Sequence, residues 1–592
     1  MATRTCVKVL ILLLLPGYLA AQDSSGSHSP AKGESDIGLR YKENISLEWE
    51  ECIGLYRRMA DSSDRARLIE IGYSDAGKPL HLFIISADGC FEPEDLRESG
   101  KNILFINNGI HPGESCGIDA SVKLAYGLLS GRDEYAEFLS RTTILILPVF
   151  NIGGALKRSP YHRANQNGPR EHGFRGNARN LDLNRDFMKM DAANTRALVP
   201  LLRKWDPDVF IDTHTSNGAD YPYTITLINS HEQRHESASA HFLRQEMLPF
   251  LYAAMTKTPY EMSPYVWSIK TTPEDGLIGF MDYPRYTSGY TSMFNCLSLT
   301  VETHMFKPYP DRVLSTWHLL RESLHFMATH SDELQAQKAK AWKQKRRRRQ
   351  FVLEWKPDTL RCDSLLFKGY AARYRKSKLT GHQRLYYDRS EPWEKKIPYY
   401  RYYIPTISCS LPEAYLIPPA WPEVIERLRL NGVEMQPLDR DTILRAEYYY
   451  IEDFHTASPS YNGHYPHSST RVRKESGPVE CMAGSILVPT KQKAVEYIVQ
   501  ALEPQAHDSF FNWNFFDEIL YRNEYFSPYI FEETAEALLR EDPRLNAAFR
   551  KKKAEDAAFA ADPYSQLRFI YESSPWSEDS YMRYPVIRIP AR

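Results

Sequence analysis

Ile103-Leu104-Phe105-Ile106-Asn107-Asn108-Gly109-Ile110-His111-Pro112-Gly113-Glu114 decides how the first half of this 592-residue chain is read. An apolar run that stops at a turn signal, Asn107-Asn108-Gly109, reads as a strand buried on both faces, as strands of parallel sheets are. His111 and Glu114 then follow on one tight segment, and Pro112 biases His111 toward an extended backbone, as expected where a strand has just ended. The same figure recurs downstream. Val209 to Asp212 leads into Asp212-Thr213-His214-Thr215, and Leu297 to Val301 carries Thr300-Val301-Glu302-Thr303. Leu82 to Ser86 and Thr143 to Val149 are further strands, with Ala120 to Leu129 and Ala193 to Trp205 as intervening helices. Ligands bind at the carboxyl ends of strands in open α/β sheets, so these polar strand ends are expected to converge.

A catalytic zinc takes about three N or O ligands and keeps one position open. His111, Glu114 and His214 form such a set. Each histidine taken singly is better read as a hydrogen-bonded loop or core residue, and His-x-x-Glu alone is a weak signal. The stretch Arg175-Gly176-Asn177-Ala178-Arg179-Asn180-Leu181-Asp182-Leu183-Asn184-Arg185-Asp186-Phe187, which lies between the proposed ligands, changes that balance. It is rich in glycine, asparagine and arginine, a costly composition for a core. It suits a loop that offers planar donors to a carboxylate, which Arg binds through two parallel hydrogen bonds.

The order His111-x-x-Glu114, Arg175…Asp182-Leu183-Asn184-Arg185, Asp212-x-His214 and Thr300-x-Glu302 resembles that of the zinc metallocarboxypeptidases. The Arg175 to Phe187 stretch is especially similar to their regulatory, carboxypeptidase D/E-like branch, and the resemblance covers Lys101 to Phe306. It implies a mixed, mostly parallel eight-stranded α/β sheet with helices on both faces. It further implies one Zn2+ ion on His111, Glu114 and His214, with Asp182 orienting the first histidine. Asn184 and Arg185 match the residues that grip a peptide's free C-terminal carboxylate, Arg175 the one that polarises the scissile carbonyl, and Glu302 the general base. A tyrosine that covers the substrate in the family has three candidates here, Tyr283, Tyr286 and Tyr290, which the sequence leaves open. The resemblance does not extend to the second half.

At the N-terminus, Arg4 and Lys8 precede an apolar run, Val9 to Leu15, and small residues at Ala20 and Ala21, the order of a secretory signal peptide. That predicts a secreted or periplasmic protein with no stable membrane insertion after cleavage. The expected organisation is a signal over 1–22, a flexible terminus over 23–36, a catalytic domain over 37–335, a basic helical linker over 336–356 and an aromatic-rich α+β region over 357–592. Lys343 to Arg349 reads as a solvated helix face, and Phe510, Phe511, Trp513, Phe515 and Phe516 read as core. Lys+Arg (74) and Asp+Glu (75) nearly cancel, which gives no electrostatic reason to expect nucleic acid as a partner. After loss of Cys6 the cysteine count is odd and the spacing holds no C-x-x-C pair, so a Cys-type zinc site is not expected.

A competing zinc motif, His231-Glu232-Gln233-Arg234-His235, has the H-E-x-x-H form, which on a helix places both histidines on one face. Arg234 sets a cation where the metal would lie, and the segment is better read as a solvated helix. Two other functions use the same residues: a zinc deacylase or amidase acting on small N-acyl amino acids or peptidoglycan peptides, and a non-catalytic peptide- or carbohydrate-binding protein. Retention of Arg175 and Glu302 favours the peptidase.

Overall fold

Leu104 and Ile106 turn their side chains into one core, while Ile103 and Phe105 turn theirs into another. This two-sided burial is what a central strand between two helical layers requires. The computed structural model describes residues 37–591, without the side chains of residues 97 and 98; the signal expected over 1–22 and the terminus over 23–36 lie outside the described residues. The first strands are β1 (Ala66–Tyr73), β2 (Pro79–Ile85), β3 (Asn102–Asn107), β4 (Thr142–Leu147), β5 (Val209–Ser216), β6 (Ile225–Asn229), β7 (Met262–Pro264), β8 (Leu277–Ile278) and β9 (Leu297–His304). All but β8 join one eight-stranded sheet in the order β1-β2-β4-β3-β5-β9-β6-β7. Pairing is parallel between β3 and β4, β3 and β5, β5 and β9, and β6 and β7, and antiparallel at the other neighbours.

Helices Trp49–Asp61, Cys116–Leu129 and Tyr309–Thr329 bury their apolar sides against one face of the sheet. Helix Ala193–Trp205 covers the other through Leu198, Val199 and Leu202. The α/β sheet with both faces covered agrees with the sequence reading. β3, β4 and the start of β5 fall where the unbroken apolar runs lie, because a run without polar alternation has no face to give to water.

The second half is built on β10 (Gln350–Pro357), β11 (Asp363–Lys376), β12 (Gln383–Tyr400), β13 (Tyr403–Ser410), β14 (Ala414–Ile417), β15 (Gln436–Pro437), β16 (Thr442–Thr456), β17 (His467–Cys481), β18 (Ile486–Pro489) and β19 (Ile587–Ile589). β10 pairs with β13, β11 and β12 form a long hairpin that β8 joins, and the rest form a six-stranded sheet, β15-β18-β14-β19-β16-β17. The core on the Ala193–Trp205 side does not stop at the first half. It runs on through Ile417, Leu428, Val488, Tyr497, Phe510 and Phe511. From Leu39 onward the chain is accordingly one compact unit.

Two details differ from the sequence reading. The helix expected over 336–356 runs from Ser331 to Arg347, and from Gln350 the chain is β10, with Phe351 and Leu353 alternating into the core. Within the basic run, Lys345 is buried, with its Nζ 2.8 Å from Glu496 Oε2 and donating to the Met293 carbonyl at 2.7 Å. The aromatic cluster is core, since Phe510, Phe511, Trp513 and Phe516 are all buried. The seven cysteines among the described residues are all free. No helix of the described residues is long and apolar enough to cross a membrane.

Candidate metal and substrate site

The chain leaves β3 through Gly109, whose φ of +64° is open to glycine at little cost, and turns His111 to Glu114 back across the sheet end. Helix Cys116–Leu129 then starts against β5 so closely that a Cβ on Gly117 would sit 2.0 Å from Thr213 Oγ1. That approach brings Glu114 up to His214. In the parallel β5/β9 register His214 lies opposite Glu302, and Asp212, two residues earlier on β5, shares a face with His214.

One ligand atom from each of buried His111, Glu114 and His214 lies within 4.8 Å of the others. His111 Nδ1 is 3.4 Å from Glu114 Oε1, and His214 Nδ1 is 3.1 Å from Glu114 Oε2. The far nitrogens face carboxylates: His111 Nε2 is hydrogen-bonded to Asp182 Oδ1 at 2.8 Å, and His214 Nε2 lies 3.0 Å from Asp212 Oδ2 as a charge contact without hydrogen-bond geometry. A proton kept on His111 Nε2 by Asp182 leaves the His111 Nδ1 lone pair facing inward, the arrangement by which an outer partner orients a metal-binding histidine. His111 Nδ1 is buried with no hydrogen-bond partner, an orphan a metal ion would satisfy. The surroundings favour a cation. Burial lowers the pKa of His214, but Asp212 and Glu114 outweigh it and hold the imidazole well above its ordinary value. Burial opposes ionisation of Glu114, yet Arg163 and His111 hold its carboxyl well below the usual range. Two imidazoles and a carboxylate are a donor set that suits zinc, which would take the place of the proton that these carboxylates hold on His214.

Glu302 is poised differently. Burial, offset in part by His214 and reinforced by Glu114, pushes its carboxyl up to about 7, and its Oε2 is buried with no partner. Arg175 reaches over the site, donating through Nε to Asp182 Oδ2 at 3.1 Å and through Nη1 to Glu114 Oε1 at 3.5 Å. Asp182 thus ties His111 to Arg175, and it also accepts from the Asn184 amide at 2.9 Å. Asn184 accepts from the Thr287 amide at 3.2 Å, and Arg185 lies over the Tyr286 ring at 4.5 Å. All the candidates except Asp182, which stands behind them, line one cavity of about 230 Å³: His111, Glu114, His214, Arg175, Asn184, Arg185 and Glu302.

Of the three tyrosines left open by the sequence, only Tyr286 lines this cavity. Tyr283 bonds Glu354 and Trp355 and stacks on His507 at 3.6 Å. Tyr290 is in the core, donating to Asn431. Two residues that sequence reasoning assigned no role belong to the site. Asp212 backs His214, and the Asp-x-His spacing on a strand was the signal for it. Arg163 donates to Glu114 Oε1 at 2.8 Å from a loop with no motif, so nothing in the sequence marked it.

The competing His231 to His235 motif does not form a metal site. It is a 3₁₀ turn over Glu232–Arg234 rather than the exposed helix expected, because Arg234 is buried and donates to the Asp282 carbonyl. The two imidazoles part company: His231 Nε2 faces the Arg401 carbonyl at 3.2 Å, and His235 Nε2 faces Ser230 Oγ at 2.7 Å. Glu232 is ion-paired with Arg401 at 2.9 Å. These residues line a larger cavity, about 630 Å³, that shares Ile228, Tyr265 and Phe280 with the first.

The family described as zinc carboxypeptidase matches residues 55–242, which hold the three candidate ligands and the Arg175 to Arg185 stretch and end before Glu302. Carboxypeptidase 2 of Trichophyton rubrum is 23% identical over 520 residues, covering 84% of this chain and 86% of its own, so this relationship extends into the second half. Carboxypeptidase Z of Mus musculus is 26% identical over 315 residues, 46% of each chain. Among solved structures, a metallo-carboxypeptidase from Burkholderia cenocepacia aligns with 48% of this chain and 70% of its own at 20% identity and a TM-score of 0.36. Residues 55–242, which carry the three candidate ligands and the Arg175 to Arg185 stretch, are thus similar to the family described as zinc carboxypeptidase.

Proposed function

We propose that the protein is a secreted zinc metallocarboxypeptidase that removes single residues from the free C-terminus of peptides. The observation that carries this is the meeting, in one small cavity, of three buried ligand atoms, a carboxylate with an unpartnered oxygen, and the Asn184/Arg185 pair. His111, Glu114 and His214 would hold one zinc ion. Zinc bound there supplies Lewis acidity, polarising a carbonyl and making water acidic near neutral pH.

The chain's own residues supply the rest. Glu302 takes a proton from the attacking water on Oε2 and gives it to the departing amine; a carboxyl near 7 suits both transfers at neutral pH. Arg175 keeps its charge because Asp182 and Glu114 outweigh burial, and it stabilises the negative oxygen that develops on the scissile carbonyl. Asn184 and Arg185 bind the terminal carboxylate, which restricts cleavage to the last peptide bond. The secreted address rests on the order of residues at the N-terminus.

The test is a mixed peptide library incubated with the protein and with Glu302→Gln, read by mass spectrometry with and without a chelator and then zinc. Stepwise C-terminal shortening, abolished by the chelator, restored by zinc and reduced at least about 100-fold in the variant, is expected. Internal cleavage that survives Glu302→Gln would refute the reading. So would intact peptides alongside hydrolysis of small N-acyl amino acids, which would favour the deacylase.

A further inference from the structure

The turn between β16 and β17, contributed by the second half of the chain, reaches into the substrate side of this site. Tyr461 Oη accepts from Arg185 Nε at 2.6 Å. Next to it, Asn462 brackets the Asp182 backbone, accepting from its amide at 2.7 Å and donating to its carbonyl at 3.3 Å. His464 Nε2 lies 2.8 Å from Asp191 Oδ2. Successive residues of the turn therefore read off the same loop that carries Asp182, Asn184 and Arg185.

The turn is built to keep its shape. Tyr461 and His464 exchange both backbone hydrogen bonds, at 2.7 and 3.1 Å, around Asn462-Gly463, whose φ angles are +50° and +86°. Positive φ at both central positions with Asn-Gly is the pattern of a two-residue type I′ hairpin. The rings of Tyr461 and His464 pack on buried Trp513 at 6.2 and 5.7 Å.

Arg185 is held from three directions. Its Nε meets the Tyr461 phenol, its Nη1 donates to the Asn184 carbonyl at 2.8 Å, and its plane lies over Tyr286. Arg185 lines the cavity and Tyr461 does not. A free arginine side chain loses much rotamer entropy when it is fixed on a ligand, and fixing it beforehand removes that loss from the binding step.

We propose that Tyr461 is a positioning residue for substrate binding: it holds Arg185 in the orientation that meets the terminal carboxylate, so that the second half of the chain completes the site. This rests on the reading of Arg185 as the carboxylate-binding residue.

Full-length Tyr461→Phe, Arg185→Lys and the double variant are compared with the parent on one peptide with a free C-terminus. Tyr461→Phe keeps the ring on Trp513 and loses only the acceptor. It is expected to raise KM about five- to tenfold with kcat within about twofold, the pattern of lost uniform binding. Arg185→Lys is expected to raise KM further, and the double variant to be no worse than Arg185→Lys, because the phenol acts only through the guanidinium. An unchanged KM in Tyr461→Phe with a raised KM in Arg185→Lys overturns the proposal and leaves the carboxylate reading standing. An unchanged KM in Arg185→Lys removes both. Additive effects in the double variant, or a fall in kcat accompanied by a lower Tm, would show Tyr461 acting on something other than Arg185 and overturn the proposal.

Discussion

Replacing Asp182 by Asn changes one atom type at the point where the metal set and the substrate arginine are joined. In the parent, Oδ1 accepts from the Asn184 amide and faces His111 Nε2, while Oδ2 accepts from Arg175 Nε and lies 2.9 Å from Arg175 Nη2. The amide can be placed in two ways. With its oxygen toward His111, its NH2 confronts the donors of Arg175, which then loses both charge-assisted bonds and keeps only the 3.5 Å contact with Glu114. With its NH2 toward His111, Nε2 must become the acceptor, and the imidazole proton moves to Nδ1, the atom that faces Glu114 and the metal position. The first placement costs transition-state stabilisation and the second costs metal affinity. Loss of such an outer partner weakens metal binding or activity by about 10–100-fold, or roughly 1.4–2.7 kcal/mol. Zinc affinity, read by competition with a chromophoric chelator, and kcat/KM on a single peptide separate the two placements. If both stayed within about twofold of the parent while Tm was unchanged, Asp182 would not orient His111 and the argument from the second partner would be wrong.

Further outcomes follow from groups away from the reacting atoms. Asp119 is fully buried, and burial pushes its carboxyl up to about 7 although it accepts from the Leu47 amide at 3.2 Å and the Tyr309 hydroxyl at 2.9 Å. Between about pH 4 and 7 the folded chain keeps a proton there that the unfolded chain has lost, so this group's contribution to stability falls as pH rises, by up to about 4 kcal/mol. Asp119→Asn has no such proton, and its urea stability relative to the parent should improve from pH 5 to pH 8; a difference independent of pH would contradict the assignment. Glu232→Gln should leave peptide hydrolysis within about twofold of the parent, because Glu232 pairs with Arg401 and stands outside the metal set. A loss of activity with retained Tm would return the H-E-x-x-H motif to consideration.

The legible part of this protein lay in short-range pattern. Ile103 to Ile106 and Val209 to Ile211 declare buried strands because an unbroken apolar run has nowhere else to go, Leu297 to Val301 does so by alternating apolar with small hydroxyl residues, and the segments at their ends carry His111, Glu114, His214 and Glu302. Ala193 to Trp205 announces its own helix in the same way. The strand at Gln350–Pro357 was hidden because the basic run before it continues a helical pattern up to Arg347, and only pairing with β13 commits the residues beyond to extended backbone. Lys345 was hidden for a related reason: a lysine in a charged run reads as solvated until its partner Glu496, about 150 residues away, is brought to it.

The sequence alone revealed the α/β class, which depends on apolar runs along single segments, and it offered the candidate ligands and Glu302 through the resemblance that its motifs carry. Only the tertiary structure decided that Tyr286 rather than Tyr283 or Tyr290 faces the cavity, that Arg163 holds Glu114, and that Tyr461 holds Arg185. Those are side-chain contacts between segments far apart in the chain. Their geometry is set by a core shared between the two halves, and a core of that kind leaves no local pattern to read.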